Sequence, residues 1–275
     1  MGNLVYQDKR TKIYQADALK FLKEIPDETF DVIATDPPYF ISDGGITCKN
    51  GKMVSVDKGE WDKEKTYTME EFYNIFLSEA KRILKPNGTI WVFGMMKNIY
   101  TLGYLMQKKG FKILNNITWQ KTNPAPNLSC RMFTHSTENI IWAKRDENSK
   151  HYFDYDLMRE MNGGRQMKDV WSSSTTNQKE KQFGYHPTQK PLEIMNKIIL
   201  ASTREDDLVL DCFMGSGTTL VACSSLNRNS VGIELNSEYI DIAISRLEKI
   251  KNDNKQISFR NIMEEDNSYE QDNFL

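Results

Sequence analysis

The hydrophobic positions of this chain follow two patterns that alternate along most of its length. Residues 32–34 (VIA) are apolar throughout, which is typical of a parallel strand that is covered on both faces. Apolar residues that include Phe72 and Phe76 recur at helical spacing and predict an amphipathic helix over 69–84. Because such strands and helices alternate along the chain, the pattern predicts an α/β fold with a doubly wound, mostly parallel sheet.

The same patterns divide most of the chain into elements. Strands are predicted at 12–18, 30–36, 89–94, 111–119, 138–144, 207–213 and 230–235. Helices are predicted at 19–25, 69–84, 98–110, 191–202, 217–226 and 237–250. Residues 145–189 are polar and lose the alternation, and an irregular stretch of this length inside a compact domain is usually functional or disordered. Residues 252–275 carry a net negative charge and are expected to form a mobile tail.

Composition narrows the class of protein. The 275 residues, of which 39% are hydrophobic and 27% charged, suit one large α/β domain or one such domain with an insertion. The formal net charge of −2 argues against a protein that holds nucleic acid by bulk electrostatics, although it is compatible with a local basic face.

The cysteines and histidines show neither a disulfide framework nor metal-ligand spacing. The four cysteines form no C-x-x-C pair, and the three histidines lie far apart. Together with the lack of a signal-peptide pattern, this predicts a protein of the reducing cytoplasm without a metal site. No apolar stretch approaches the roughly 20 residues that span a bilayer, so no membrane partner is expected.

The stretch VIATDPPYF ends a predicted strand with an acid, two prolines and an aromatic residue. Pro37 and Pro38 lack a backbone N–H and fix φ, so the chain after the strand is stiff and extended. The carboxyl ends of strands are where open α/β sheets bind ligands, which makes Asp36 a candidate site residue. A bare D-P-P is equally compatible with a rigid turn.

A second candidate site is the glycine loop VLDCFMGSGTT, which follows a strand and opens a helix. Gly215 and Gly217 allow a tight turn and close approach of the backbone to a ligand. The later glycine of the dinucleotide fingerprint and the lysine of a phosphate-binding loop are both missing. Glu234, about 20 residues further on, suits the hydroxyls of a ribose. The pattern favours an adenosine-containing cofactor that is not a triphosphate.

Four blocks now carry a resemblance to a known family. In chain order, DPPY (36–39), HPTQKP (186–191), DCFMGSGTT (211–219) and GIEL (232–235) resemble the signature blocks of S-adenosylmethionine-dependent DNA amino-methyltransferases. The order, with D-P-P-Y before the glycine loop, is similar to the β arrangement of that family. Residues 116–145 resemble the DpnA-like adenine methylases that modify G-A-T-C. The implied fold is a circularly permuted methyltransferase (Rossmann-like) sheet with a polar target-recognition insert.

The resemblance implies S-adenosyl-L-methionine as the cofactor and transfers its binding residues. Asp211 and Phe213 match the methionine end, Glu234 matches the ribose, and Asp17 matches the position that reads the adenine amine. An aspartate at a strand-to-helix junction is also a common N-cap, so Asp17 has a second interpretation. The full set of matching positions is Asp17, Asp36, Thr188, Lys190, Pro191, Asp211, Phe213, Gly215, Gly217, Thr218 and Glu234.

The chemistry of an adenine amine explains the first block. The lone pair of that amine is delocalised into the ring, and acceptors for both N–H bonds would localise it. The Asp36 carboxylate and the Pro37 carbonyl are suited to this, because Pro37 and Pro38 hold both acceptors still. Tyr39 offers a face on which a base extruded from the duplex stacks. These four residues are the predicted catalytic set, and residues 40–62 are expected to close over the base.

Basic and polar residues in the middle of the chain are candidates for DNA contact. We expect phosphate contacts, which position the duplex without reading it, from residues around 121–145, and base contacts from residues 145–185. Each residue alone is also compatible with a solvated surface position. The candidates are Lys121, Asn123, Arg131, Lys144, Arg145, Arg165 and Lys168.

Other methylation reactions and a binding role compete with adenine-N6 methylation as interpretations of these motifs. Cytosine-C5 methylation needs a cysteine nucleophile, usually beside a proline, and the chain has no P-C dipeptide. Cytosine-N4 methylation shares the amine chemistry but usually shows serine in place of Asp36. A non-catalytic nucleic-acid-binding module would need neither the ribose carboxylate nor an intact D-P-P-Y. The last two stay open as alternatives.

The resemblance also implies an organisation and partners. Residues 1–122 would be the catalytic half, 123–185 the DNA-contacting and target-recognition region, and 186–251 the cofactor-binding half. The expected substrate is double-stranded DNA, with single strands as an alternative. A restriction–modification system with a cognate endonuclease and a two-fold homodimer are further expectations.

Overall fold

The computed structural model describes residues 2–40, 46–49, 52–55 and 67–253. Most of the predicted loop 40–62 and nearly all of the predicted tail 252–275 lie outside these residues. The strands are β1 Asn3–Gln7, β2 Thr11–Gln15, β3 Phe30–Thr35, β4 Ile46–Lys49, β5 Lys52–Ser55, β6 Leu84–Gly94, β7 Lys112–Lys121, β8 Thr137–Lys144, β9 Val170–Ser173, β10 Leu208–Asp211 and β11 Asn229–Glu234. The α-helices are α1 Ala18–Phe21, α2 Met69–Ile83, α3 Ile99–Lys108, α4 Tyr155–Met161, α5 Leu192–Ser202, α6 Thr218–Ser225 and α7 Ser237–Asp253.

One large sheet organises the described chain. Its strand order is β1-β2-β11-β10-β3-β6-β8-β7-β9, and β4 pairs with β5 in a separate antiparallel ribbon. The strands from β2 to β6 in that order are parallel, whereas β1 and β8 run antiparallel to their neighbours. The predicted mostly parallel sheet is therefore confirmed.

Helices cover both faces of this sheet. Within β3, Ile33 packs with α1, α2 and α3 on one face, while Val32 and Ala34 pack with α5 and α6 on the other. Side chains of successive strand residues point to opposite faces, so an unbroken apolar run is what a doubly covered strand requires. The C-terminal helix α7 packs against α6 and β2 through residues that include Ala243 and Leu247. The doubly wound architecture is confirmed.

The prediction that 145–189 is irregular was wrong. The stretch contains α4 and also β9, which adds to the sheet in parallel beside β7. Met158 of α4 and Trp171 of β9 belong to the buried core. The alternation of buried and exposed residues in β9 extends over only four residues and includes two serines, too little for a strand pattern to be recognised. The short edge strand β1 was missed as well.

The positions of β3 and β10 determine where the site lies. These two strands are adjacent and parallel at the centre of the sheet. The helix that follows β3 covers one face, and the helix that follows β10 covers the other. A crevice therefore opens between the chains that leave their carboxyl ends, which is the usual ligand position in doubly wound sheets.

Candidate active site

The carboxyl ends of β3 and β10 bring the two predicted motifs together. The hydroxyl of Thr35 donates a hydrogen bond of 2.7 Å to Asp211 Oδ1 and so ties the two strand ends. A cavity of about 430 Å³ opens over this edge and is lined by Asp36 and Pro38 as well as by the glycine loop. The predicted cofactor residues that line it are Asp17, Asp36, Thr188, Lys190, Asp211, Phe213, Gly215, Thr218 and Glu234.

The D-P-P-Y turn is held from the face of α2 and α3. Tyr73 of α2 donates a hydrogen bond of 2.7 Å to the carbonyl oxygen of Pro38. The Asn98 amide in turn donates a hydrogen bond of 2.6 Å to the Tyr73 hydroxyl. Phe40 follows in the left-handed region with a φ of 55° and packs edge-on against Phe72 and Tyr73. A non-glycine residue in this conformation persists only where its surroundings fix it, so the turn is rigidly placed.

The Asp36 carboxylate accepts hydrogen bonds from two side chains. Lys190 donates to Oδ2, and the Tyr39 hydroxyl donates to Oδ1. The Lys190 ammonium also lies 3.6 Å from Glu138, whose other oxygen accepts a hydrogen bond of 2.5 Å from Lys121. Two lysines and two carboxylates therefore form one largely buried network that ends at the catalytic candidate.

Electrostatic interactions within this network of four side chains keep Lys190 charged. Burial alone would lower the pKa of Lys190, but the carboxylates of Asp36 and Glu138 raise it above its usual value. Burial likewise works against ionisation of Glu138, yet Lys190 and Lys121 lower the pKa of that carboxyl. For Asp36, burial outweighs the attraction of Lys190 and raises the pKa.

The glycine loop is fixed by Glu234 and packs closely against a histidine. One Glu234 oxygen accepts a hydrogen bond of 3.0 Å from the Gly215 amide, and the other accepts from the amides of Leu235 and Asn236. Gly215 has a φ of 49°, and a Cβ there would meet His186 Nε2 at 2.7 Å. Glycine is thus required at Gly215, since both the backbone conformation and the space exclude a side chain.

Asp211 is the most enclosed carboxyl of the cavity wall. It accepts hydrogen bonds from the hydroxyls of Thr35 and Thr219, at 2.7 and 2.5 Å, and from the Phe213 amide at 3.2 Å. Burial raises its pKa to about 6, although these three donors oppose the shift. A cationic ligand beside Asp211 would restore the charged form.

The remaining predicted cofactor residues occupy supporting positions. Asp17 is exposed at the rim, where it caps α1 by accepting a hydrogen bond of 3.1 Å from the Lys20 amide. Pro191 precedes α5 outside the lining of the cavity. Gly217 starts α6 with a φ of 75°, and a Cβ there would lie 2.7 Å from the Ala243 Cβ. Gly217 therefore allows α6 and α7 to pack closely.

A buried arginine behind the glycine loop was missed. Arg246 of α7 is 6% exposed and donates hydrogen bonds of 2.7 Å to the Ser216 carbonyl and 3.0 Å to the Thr218 hydroxyl. Burial lowers the pKa of Arg246 to about 10, a value at which it still carries its charge at neutral pH. A signal was present in the sequence, because Arg246 falls within the apolar stripe of α7 beside Leu247 and three residues after Ala243.

The structure divides the predicted basic patch. Lys121 and Asn123 lie at the edge of the sheet that carries Asp36, and exposed Arg131 belongs to the β7–β8 loop. Lys144 and Arg145 lie at the opposite edge, because β8 runs antiparallel to β6 and Lys144 pairs with its early residue Thr89. Both residues make contacts within the protein at that edge. Lys144 donates a hydrogen bond to the Glu147 carbonyl, and Arg145 forms an ion pair with Glu28 at 2.7 Å.

The other two candidates are surface residues. Arg165 and Lys168 are exposed in the connection between α4 and β9. The DNA-contacting residues therefore stay predictions. Among these candidates, Lys121, Asn123 and the β7–β8 loop that carries Arg131 follow the end of β7 at the carboxyl edge of the sheet.

Comparison with known proteins decides the family. Residues 30–245 match a family model described as DNA methylase (N6_N4_Mtase). The chain belongs to this DNA methylase family. It is 53% identical to the Type II methyltransferase M2.DpnII of Streptococcus pneumoniae, over 88% of this chain and 91% of that protein. It is also 53% identical to M2.LlaDCHI of Lactococcus lactis subsp. cremoris, over 89% of this chain and 91% of the relative.

Solved structures support the same family. A complex of M1.HpyAVI with SAM is 27% identical, with a TM-score of 0.62, and the match covers 86% of this chain and 99% of that one. The cytosine-N4-specific PvuII DNA methyltransferase gives a TM-score of 0.71 at 18% identity, over 95% of each chain, which shows a shared fold alone. The expected S-adenosylmethionine-dependent DNA methyltransferase is confirmed. None of the helices among the described residues of this methylase is long and apolar enough to cross a membrane.

Proposed function

We propose that this methylase transfers the methyl group of S-adenosyl-L-methionine to the N6 amine of an adenine that is flipped out of double-stranded DNA. The observation that carries the proposal is the single cavity that Asp36 shares with the glycine loop and Glu234. Direct methyl transfer requires that the acceptor for the amine and the site for the adenosine cofactor share one cavity. A binding module without chemistry has no use for that juxtaposition.

The residues of the cavity fit the cofactor. S-adenosyl-L-methionine supplies, when bound, an electrophilic methyl group on a sulfonium. Glu234 and Asp211 offer carboxylate oxygens to the ribose hydroxyls and to the positively charged methionine end, respectively. Phe213 and the glycine backbone leave room for the cofactor between these acids, and Asp17 at the rim is available to its adenine amine.

The acceptor turn would activate the target amine. The Asp36 carboxylate and the Pro37 carbonyl each take one N–H of the amine, and the hydrogen bond from Tyr73 to Pro38 keeps the turn from moving. Preorganised acceptors of this kind need no reorganisation during the reaction, which is where their catalytic effect comes from. Tyr39 is buried against Asp36 and would have to turn outward to stack on the base.

The relatives suggest the DNA site and the biological setting. M2.DpnII and M2.LlaDCHI are named Type II methyltransferases, and their matches cover 88% and 89% of this chain. This supports methylation within a short site such as G-A-T-C as part of a cytoplasmic restriction–modification system. A cognate endonuclease and a two-fold dimer belong to the same proposal.

The experiment that tests the function is methyl transfer from labelled S-adenosyl-L-methionine to a G-A-T-C duplex, followed by digestion to nucleosides. We expect the label in N6-methyldeoxyadenosine. The control duplex carries N6-methyladenine at every G-A-T-C and should accept no label. Label in N4-methyldeoxycytidine would instead support the cytosine alternative, and DNA binding without any transfer would support a binding module.

Cofactor affinity should depend on pH through Asp211. Because its pKa is about 6 in the free protein and a cationic ligand favours ionisation, affinity should rise up to about tenfold between pH 5 and pH 7. Calorimetric titration of S-adenosyl-L-methionine across this range measures the slope. Asp211→Asn should lower the affinity and flatten the dependence, and an unchanged slope in this variant would remove Asp211 from the explanation.

The same group affects the stability of the cofactor-free protein with the opposite sign. The folded pKa is raised above the ordinary value of 3.8, so the folded chain retains a proton that the unfolded chain releases. The contribution of Asp211 to the free energy of unfolding is therefore fully present below about pH 4 and is lost as the pH rises through about 6.

A further inference from the structure

The catalytic acceptor is engaged before any substrate arrives. Both oxygens of Asp36 accept hydrogen bonds from the chain itself, Oδ1 from Tyr39 and Oδ2 from Lys190. Lys190 is 6% exposed, and the Asp36 side chain is 19% exposed. In such a buried setting the ammonium strongly withdraws electron density from the carboxylate, because little solvent screens their interaction.

This pairing works against the proposed methyl transfer, on which the present inference rests. The target amine needs a strong acceptor, and an oxygen that already binds an ammonium is a weak one. The charge of Lys190 would also lie close to the sulfonium and to the positive charge that develops on the amine nitrogen. Asp36 becomes a stronger acceptor if Lys190 withdraws from it, provided that the moved ammonium is not left without a partner.

Glu138 provides a second position for the lysine. Its side chain is 10% exposed, and Oε1 accepts the hydrogen bond from Lys121. Its Oε2 is buried and makes no hydrogen bond within the described chain, although it lies 3.6 Å from Lys190 Nζ. Buried carboxylate oxygens in folded proteins nearly always accept a hydrogen bond, whereas Glu138 Oε2 has only its longer ion-pair contact with Lys190.

We propose that Lys190 moves from Asp36 to Glu138 Oε2 when the target amine enters, and that Glu138 is a positioning residue for the methyl transfer. A movement of about 1 Å converts the 3.6 Å separation into an ordinary charge-assisted hydrogen bond. Lys190 keeps its proton throughout, and no bond other than hydrogen bonds changes. Asp36 Oδ2 is then free for the amine, and the moved charge lies beside a carboxylate.

The surroundings of Lys190 permit both positions. Its Nζ lies 3.4 Å from the Thr188 carbonyl oxygen and 5.4 and 5.2 Å from the ring centroids of Tyr39 and Phe93. These contacts attract a cation without fixing it in one place. Glu138 is the second residue of β8 and pairs with Trp119 of β7. Lys121 is the last residue of β7, so Glu138 and Lys121 flank the β7–β8 loop. DNA that contacts this loop is thus positioned to influence the lysine.

A double-mutant cycle on single-turnover methyl transfer, at saturating S-adenosyl-L-methionine and duplex DNA, tests the proposal. Glu138→Gln keeps the size of the side chain but removes the charge that attracts Lys190. We expect the rate constant to fall about 10- to 100-fold, with the cofactor Kd within about twofold of the wild type. In a Lys190→Met background the same change should alter the rate constant less than about twofold, because no lysine remains to be moved.

Equal losses in both backgrounds, or a wild-type rate for Glu138→Gln, would overturn the two-position lysine. Absence of transfer by the wild-type chain would overturn the proposed function itself, so the two failures are distinguishable. Glu147→Gln, at an exposed ion pair with Lys112 on the far edge of the sheet, is the matched control and should match the wild type.

A second variant separates the charge of Glu138 from the removal of its carboxylate. Glu138→Asp retains a carboxylate that attracts Lys190, so its rate constant should lie above that of Glu138→Gln. A rate constant equal to or below that of Glu138→Gln would contradict the proposal.

Discussion

Asp36→Ala is expected to lower the rate constant of methyl transfer about 100- to 1,000-fold, while the Kd for S-adenosyl-L-methionine changes less than about threefold. The change removes a preorganised acceptor at the reacting amine, and losses of this size are typical for such groups. The Gly215–Glu234 contacts that would hold the cofactor do not involve Asp36. Single-turnover transfer to duplex DNA and calorimetric cofactor titration provide the two measurements.

Two further variants make this result interpretable. Asp36→Asn retains a carbonyl acceptor without the charge and should fall between the wild type and Asp36→Ala. Asp241→Ala, at an exposed position of α7, should transfer methyl groups at the wild-type rate. Near-normal turnover by Asp36→Ala would show that the acceptor lies elsewhere.

Glu234→Ala is expected to weaken cofactor binding about 30- to 1,000-fold, which corresponds to about 2–4 kcal/mol. The carboxylate has two roles that are lost together: it would accept from the ribose hydroxyls, and it accepts from three backbone amides that fix the glycine loop. A buried amide left without its acceptor adds to the loss. Calorimetry with S-adenosyl-L-methionine measures the Kd, and the rate constant at saturating cofactor should fall much less.

The neighbouring Glu238 provides the control for that experiment. It is exposed in the first turn of α7, so Glu238→Ala removes an acid close to the site without touching the loop. Cofactor affinity should be unchanged in this variant. If Glu234→Ala binds the cofactor as tightly as Glu238→Ala does, Glu234 does not contribute to the cofactor site.

The sequence predicted the parts of the site that depend on short segments. D-P-P-Y and the glycine loop each combine a strand end with residues of special backbone behaviour, so their position at the carboxyl edge follows from local rules. The shared cavity follows in turn, because β3 and β10 are adjacent parallel strands. The family resemblance added the identity of the cofactor, which residue patterns alone left as an adenosine-containing molecule.

The residues that the sequence did not reveal act through contacts distant along the chain. Glu138 belongs to no recognisable motif. Its proposed role depends on its contacts with Lys121 and Lys190, and the three residues come from different segments of the chain. The division of the basic patch has a similar cause. Lys121 is the last residue of β7 and Lys144 is the last residue of β8. Because the two strands are antiparallel, their carboxyl ends lie at opposite edges of the sheet.

The anchoring of the acceptor turn by Tyr73 and Asn98 has an evolutionary consequence. Both residues belong to the layer of α2 and α3, whereas α4 packs on the other face of the sheet and β9 lies at its far edge. The α4–β9 region, where the proposed base-reading residues lie, makes neither of these anchoring hydrogen bonds. Related enzymes could therefore evolve different DNA recognition sequences while the catalytic residues stay the same.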